Sequence, residues 1–245
     1  MEEFYIIAHR GAKGYEPENT LLAFAKALEL GARWIETDVY GVEDELVLIH
    51  DDRLERTTNG AGYVTESSLE YLRSLDAGKG QRIPFLTEAI DLIDGRAGIN
   101  IELKGPDTGA PLARLLTRVL SGSRWQREQF IVSSFNHLEL LVFARQMPDI
   151  RIGALTASMP LGYAAFAEPL SAWSIHASVE CVNREFVEDA HKRGKKMFVY
   201  TVNHPENFRR VQSLGVDGIF TDFPDRFTAG GRSTPGQERL RMPEC

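Results

Sequence analysis

Two short runs decide how this chain is read: Trp34-Ile35-Glu36-Thr37-Asp38-Val39 and Ile99-Asn100-Ile101-Glu102-Leu103-Lys104. Both have the apolar, β-branched character of buried strands, and both carry acids. Side chains alternate across a strand, so Glu36 and Asp38 share one face and Glu102 and Lys104 share another. Three carboxylates in two otherwise hydrophobic strands are costly unless something cationic meets them. Two further strand ends carry histidine, in Ala8-His9-Arg10-Gly11 and Ile49-His50-Asp51. Together these residues describe a hard-metal site flanked by two candidate proton carriers.

Outward from these runs the chain alternates strand and helix. Candidate strands are Phe4 to His9, Trp34 to Val39, Gly98 to Leu103, Gln129 to Phe135, Arg151 to Thr156, Ala172 to Ser178, Lys196 to Val202 and Gly218 to Thr221. Helical spacing of apolar residues follows the first (Leu21, Phe24, Ala25, Leu28), the third (Leu112, Leu115, Leu116, Val119) and the fourth (Leu138, Leu141, Val142). Helix stops are expected at Gly31, Gly122, Gly194 and Gly215. Such alternation predicts a parallel sheet with outer helices, and eight strands favour closure into a (β/α)8 TIM barrel.

Two segments depart from the cycle. Glu45 to His50 follows the second strand so closely that the pair reads as a hairpin, carrying His50 back over the barrel mouth. Residues 51–83 are too long for a plain connection and too short for a separate core, and are expected to form a small excursion over the active face. Residues 1–228 are thus expected to be one catalytic unit, and 229–245, opening at Gly230-Gly231-Arg232-Ser233, a flexible polar tail.

The 245 residues are 43% hydrophobic and 26% charged, enough for one large core. A formal net charge of −7 argues against a nucleic-acid partner, which usually meets a basic surface. An anionic small substrate is compatible with it, because a metal ion with Arg and Lys inverts the field in one cleft. Cys181 and Cys245 give no disulfide framework or zinc site. The start lacks a signal-peptide pattern and no run approaches about 20 apolar residues, so a cytoplasmic protein without a stable membrane anchor is expected.

His9-Arg10-Gly11 with Pro17-Glu18-Asn19-Thr20, Glu36-Thr37-Asp38, His50-Asp51, Arg56-Thr57-Thr58-Asn59-Gly60, Pro84-Phe85-Leu86-Thr87-Glu88-Ala89, Glu102-Leu103-Lys104, Tyr200-Thr201-Val202-Asn203 and Asp217-Gly218-Ile219-Phe220-Thr221-Asp222-Phe223-Pro224 follow one another along the chain. This ordered set resembles the successive motifs of the glycerophosphodiester phosphodiesterase family. One departure is Tyr200, where that family usually has Trp. The resemblance implies a (β/α)8 barrel that uses a divalent cation, commonly Ca2+ or Mg2+, to hydrolyse glycerophosphodiesters to glycerol 3-phosphate and an alcohol.

By the same resemblance, Glu36, Asp38 and Glu102 are metal ligands, His9 and His50 are the general acid and base in undetermined order, and Arg10 and Lys104 bind the phosphodiester. Each role fits its chemistry. Carboxylate oxygens suit hard cations, imidazole moves protons near neutral pH, and fixed cations stabilise charge developing on phosphoryl oxygens. Glu18, Asn19 and Asn203 are expected to position these groups, and Ser133-Ser134 lacks a nucleophile-elbow pattern. His137, His176, His191 and His204 are expected to be structural, with His176 the least secure because its strand end faces the mouth. The alternatives are a lysophospholipase D-like enzyme, which would show an apolar rim that the sequence does not reveal, and a non-catalytic phospholigand or metal sensor.

Overall fold

The computed structural model describes residues 4–122 and 124–227, so the segment 229–245 and the boundary at 228 lie outside the described residues. Strands β1 (Tyr5–Ala8), β2 (Trp34–Val42), β4 (Gly98–Leu103), β5 (Phe130–Ser134), β6 (Arg151–Thr156), β7 (Ser174–Ser178), β8 (Lys196–Tyr200) and β9 (Gly218–Thr221) run parallel. They are joined in the order β1-β9-β8-β7-β6-β5-β4-β2, and a β1–β2 ladder closes the ring. The architecture is the expected TIM barrel. Helices α1 (Leu21–Glu29), α3 (Leu86–Ile93), α4 (Gly109–Gly122), α5 (His137–Gln146), α6 (Arg184–Lys192) and α7 (Pro205–Leu214) lie between strands, and a 3-10 turn at Tyr163–Ala167 takes that place after β6. Among the described residues, no helix is long and apolar enough to cross a membrane.

The period-2 pattern divides each strand between two cores. Residues of one parity, such as Ile35, Val39, Ile99, Ile101, Val132 and Ile175, pack under the helices in the main cluster. Residues of the other parity, Tyr5, Ile7, Trp34, Ile131, Phe198 and Phe220, come from strands all around the ring and can meet only in its lumen, which they plug. The strands end earlier than the apolar runs suggest at His9, Phe135, Thr201 and Val202, because the ladder stops there and the chain turns into loops. β2 instead runs on to Val42, held by the antiparallel partner β3 (Glu45–Leu48) with Val39 opposite Leu48. This is the expected hairpin.

Residues 51–83 contain a 3-10 turn and a short helix, α2 (Leu69–Ser74). Their apolar side chains, Leu54, Val64, Leu72, Leu75 and Ile83, close on Val42, Val47 and Ile49 of the hairpin region. The excursion therefore borrows its core from β2 and β3.

One titratable group lies fully inside the lumen. The His176 ring packs 5.4 Å from Phe198 and 5.0 Å from Phe220, centroid to centroid, and Nε2 meets Ser174 Oγ at 2.8 Å. Burial lowers its pKa from 6.5 to about 3. Below its ordinary value the unfolded chain gains a proton that the folded chain refuses, so His176 removes stability as pH falls through that window. The slope is at most about 1.4 kcal/mol per pH unit. His176→Phe should therefore lose less denaturant stability than wild type between about pH 6.5 and pH 4. Parallel curves for the two proteins would show that the folded state accepts the proton.

Candidate active site

At the carboxyl end of β1 the backbone turns sharply, with Arg10 at φ 52° and Gly11 at φ 80°. Glycine is required at the second position: an added Cβ would stand 2.7 Å from the carbonyl carbon of Ala23, in a region that side chains rarely adopt. The turn aims the Arg10 N–H at Glu36 Oε2 (2.7 Å) and the Gly11 N–H at the Glu36 carbonyl (3.2 Å). The Arg10 side chain donates through Nη1 to Glu18 (2.7 Å) and holds Nε 3.2 Å from Asp38 Oδ2. Asn19 donates to the same Asp38 oxygen (2.9 Å) while accepting from the Thr37 hydroxyl (2.9 Å), and Thr20 then caps α1. Glu18 and Asn19 thus strap β1 and β2 together.

Asp38 and Glu102 are register partners across β2 and β4, and Glu36 lies one inward step below Asp38. One ligand oxygen from each of the three lies within 4.8 Å of the others. Glu36 and Asp38 are almost wholly buried, and Asp38 Oδ1 accepts no hydrogen bond. Burial, reinforced by neighbouring carboxylates, pushes Glu36 well above the usual carboxylate range and Glu102 up to about 7. Lys104 relieves this in part, donating to Glu102 Oε1 at 2.9 Å and standing 3.9 Å from Asp38 Oδ1. An all-oxygen donor set with an orphaned buried oxygen and mutual repulsion is what a hard divalent cation satisfies, so the residues present fit such an ion.

Each flanking histidine is backed by a carboxylate. His9 Nδ1 meets Asp222 Oδ1 at 2.7 Å, and Asp222 is held in turn by Asn203, which donates to Oδ2 at 2.8 Å and accepts the Asp222 N–H at 2.9 Å. His50 Nδ1 meets Asp51 Oδ1 at 2.6 Å, and Arg56, from the excursion, donates to both Asp51 and Glu18. Lys104 Nζ lies 3.2 Å from His50 Nε2. An ammonium only donates, so Nε2 carries the lone pair and Nδ1–H faces Asp51. Burial lowers both histidine pKa values. Against the upward push of burial, Arg56 and Arg10 hold Glu18 down to about 2. Arg56, first of all, holds Asp51 below its ordinary value.

His9, Arg10, Glu36, His50 and Glu102 line one cleft of about 210 Å³ at the carboxyl end of the barrel, with Asp38 and Lys104 directly behind them. Its rim carries Phe135 and Tyr200, whose rings meet edge to face at 6.0 Å. The structure thus brings together every site residue expected from the sequence. It adds Asp222, Asp51 and Arg56. The signal for Asp51 was its place beside a strand-end histidine, and that for Asp222 its place at the end of the last strand. His137 bonds the Leu155 carbonyl (3.0 Å), His191 pairs with Asp217 (2.9 Å) and His204 precedes α7, all apart from the cleft lining. His176 does line it, on the floor with Asn100 and Ser133.

The chain matches the model of the glycerophosphoryl diester phosphodiesterase family over residues 9–226. It is 39% identical over 230 residues to a glycerophosphodiester phosphodiesterase of Caldanaerobacter subterraneus, covering 90% of this chain and 94% of that protein. A probable glycerophosphodiester phosphodiesterase of Mycobacterium tuberculosis is 47% identical over 250 residues, covering 92% and 91%. Among solved structures, a phosphodiesterase of Oleispira antarctica in complex with the product sn-glycerol-3-phosphate superposes with a TM-score of 0.83 at 30% identity, covering 90% of this chain and 94% of that one. This chain belongs to the glycerophosphoryl diester phosphodiesterase family.

Because the turn after β1 admits no side chain at its second position, Gly11→Ala should cost about 2 kcal/mol or more in urea denaturation. An unchanged unfolding midpoint would show that the turn relaxes freely.

Proposed function

We propose that this chain hydrolyses glycerophosphodiesters to glycerol 3-phosphate and an alcohol in the cleft described above, with residues 1–228 acting as one catalytic unit. The observation that carries the proposal is the convergence of an unsatisfied three-carboxylate cluster and two carboxylate-backed histidines on one cleft, in a chain of this family. Glu36, Asp38 and Glu102 would hold one Ca2+ or Mg2+, which when bound supplies concentrated positive charge against the phosphoryl group.

The chain's own residues do the rest. Arg10 faces the cleft with its guanidinium already fixed by Glu18, so it binds phosphoryl oxygens at little cost in side-chain order. Lys104 adds a compact charge beside it. His50, with its lone pair on Nε2 and its Nδ1–H held by Asp51, takes the proton of the nucleophile, and Asp51 stabilises the imidazolium that results. His9, backed by Asp222, gives a proton to the departing alkoxide. Two carriers on separate loops serve the two ends of an in-line displacement. The excursion contributes Arg56, which fixes Asp51 and Glu18 together.

Lysophospholipids form a second substrate class, favoured by an apolar rim that the sequence reading did not anticipate. Phe135 lines the cleft and is half-exposed, Leu138 is mostly exposed on α5, and Met159 and Leu161 stand out from the segment after β6. A panel of glycerophosphocholine, glycerophosphoethanolamine and lysophosphatidylcholine separates the two classes. The higher kcat/KM on the first two is expected, and the reverse order would make lipid the substrate.

Calcium or magnesium added to chelator-treated protein should raise both activity and Tm, and Glu36→Gln, Asp38→Asn and Glu102→Gln should weaken both responses. In chelator the variants should be no less stable than wild type, because each removes one of several repelling buried charges. Full activity of all three in chelator would exclude the cation.

His9→Ala and His50→Ala should each lower kcat by about 10²-fold or more while the calcium-induced shift in Tm persists. A nitrophenyl leaving group, which needs no proton, should restore His9→Ala and not His50→Ala. Equal rescue of both would remove the division of roles.

A further inference from the structure

Below the carboxylates, the cleft ends on side chains to which the mechanism gives no task. Asn100 and Ser133 are buried, and Asn100 Nδ2 donates to Ser133 Oγ at 2.9 Å. Asn100 Oδ1 accepts nothing. His176 is fully buried, its Nε2 engaged by Ser174 Oγ, and its Nδ1 has no partner. All three residues line the floor of the cleft. A buried polar atom left unpaired costs on the order of 1–3 kcal/mol, and two in one floor are unusual.

The space beside them is built by a glycine. Gly153 stands in register between Ser133 on β5 and Ser174 on β7. A Cβ there would lie 2.4 Å from His176 Cε1 and 3.1 Å from Ser133 Cβ. Only the missing side chain lets the imidazole lie flat against this wall of the barrel. Phe198 and Phe220 hold it from the other side.

The unpaired atoms define the chemistry of what they receive. Asn100 Oδ1 only accepts. His176 Nδ1 accepts or donates according to whether the Ser174 hydroxyl accepts from or donates to Nε2. A hydroxyl group, both donor and acceptor, satisfies the pair in either tautomer. An anion would meet the Asn100 carbonyl oxygen and the Glu36 and Glu102 carboxylates nearby, and is disfavoured. The closed end of the cleft also suits the part of the substrate that does not vary, while the open mouth accommodates alcohols of different size.

We propose that Asn100, Ser133 and His176 form a hydroxyl-binding subsite that receives the terminal hydroxyl of the substrate's glycerol moiety and so orients the diester glycerol-inward. This rests on the proposed glycerophosphodiester activity. The three are positioning and specificity-determining residues. The hydroxyl they read is the one remote from phosphorus, separate from the neighbouring hydroxyl that could serve as an internal nucleophile.

The test compares glycerophosphocholine with the phosphocholine ester of 1,2-propanediol, which keeps the neighbouring hydroxyl and replaces the terminal one by hydrogen. Wild type should prefer the glycerol ester by about 10-fold or more in kcat/KM, since the analogue leaves the floor unpaired. Asn100→Ala and His176→Phe should each bring that ratio towards 1, chiefly through KM. A wild-type ratio near 1 would overturn the proposal and assign the floor atoms to a bound water, and this comparison needs no variant to fold. A high ratio that both folded variants retain would also overturn it, placing the hydroxyl elsewhere. Calorimetric binding of glycerol 3-phosphate against 1,2-propanediol phosphate separates this inference from the activity. Protein that hydrolyses neither ester yet binds the glycerol phosphate about 10-fold more tightly keeps the subsite and loses only the reaction, whereas equal binding of the two phosphates overturns the subsite itself.

Discussion

Three carboxylates held within 4.8 Å of one another in the mouth of the barrel are the constraint around which the rest is arranged. Left alone they would repel, and burial would drive them towards their neutral forms. The nearby cations answer only part of this. Arg10 reaches Asp38 and shares itself with Glu18, while Lys104 is divided among Glu102, Asp38 and His50. Replacing such a cluster with well-packed apolar residues is often neutral or stabilising in other barrels and bundles, so its presence is a cost in stability carried for the site. The apolar plug beneath and the helical shell outside supply the stability that carries it.

The two histidines are equipped alike by very different routes. Asp51 is the next residue after His50, and Arg56 locks it from within the excursion. Asp222 reaches His9 across 213 positions of sequence, and does so only because β1 pairs with β9. Closure of the barrel is therefore also the step that completes one of the two proton carriers. Asn203, at the end of β8, holds Asp222 by both its backbone and its side chain, so three neighbouring strand ends fix a single imidazole. The excursion plays the corresponding part for His50, and through Glu18 it also reaches Arg10.

What was legible in the sequence is what period-2 alternation and short spacing encode. Glu36, Asp38 and Glu102 share the inward parity of β2 and β4, and their convergence followed once the two strands were adjacent. β4, β6 and β9 have the expected bounds, since their apolar runs and their ladders end together. At His9, Phe135 and Val202 the apolar character outlasts the hydrogen bonding, so strand ends were overrun where the loops that build the site begin. Asp222 carried no local sign of its partner, because the pairing is made by ring closure. Arg56 reads as one more polar residue in a long connection. Phe135, Leu138 and Leu161 look like ordinary core positions in the sequence, and only the fold shows that they face outward near the mouth.

The lumen is layered, and the order of the layers has a physical logic. Tyr5, Ile7, Trp34 and Phe198 form the apolar plug, Asn100, Ser133 and His176 a neutral polar layer above it, and the carboxylates the layer towards the mouth. Apolar side chains directly beneath Glu36 would deepen a desolvation that already drives its pKa upward, while further acids there would add to the repulsion. Neutral dipoles avoid both. They lend polarity beneath the anions without adding charge, and they carry hydrogen-bonding atoms deep into a barrel that is otherwise closed with hydrocarbon. Asn100 stands beside Glu36 in register, so a single step across the ladder separates the group that must stay anionic from the one that must stay neutral. The alternation that sends Ile99 and Ile101 outward under the helices is thus the same alternation that grades the lumen from apolar to polar to charged.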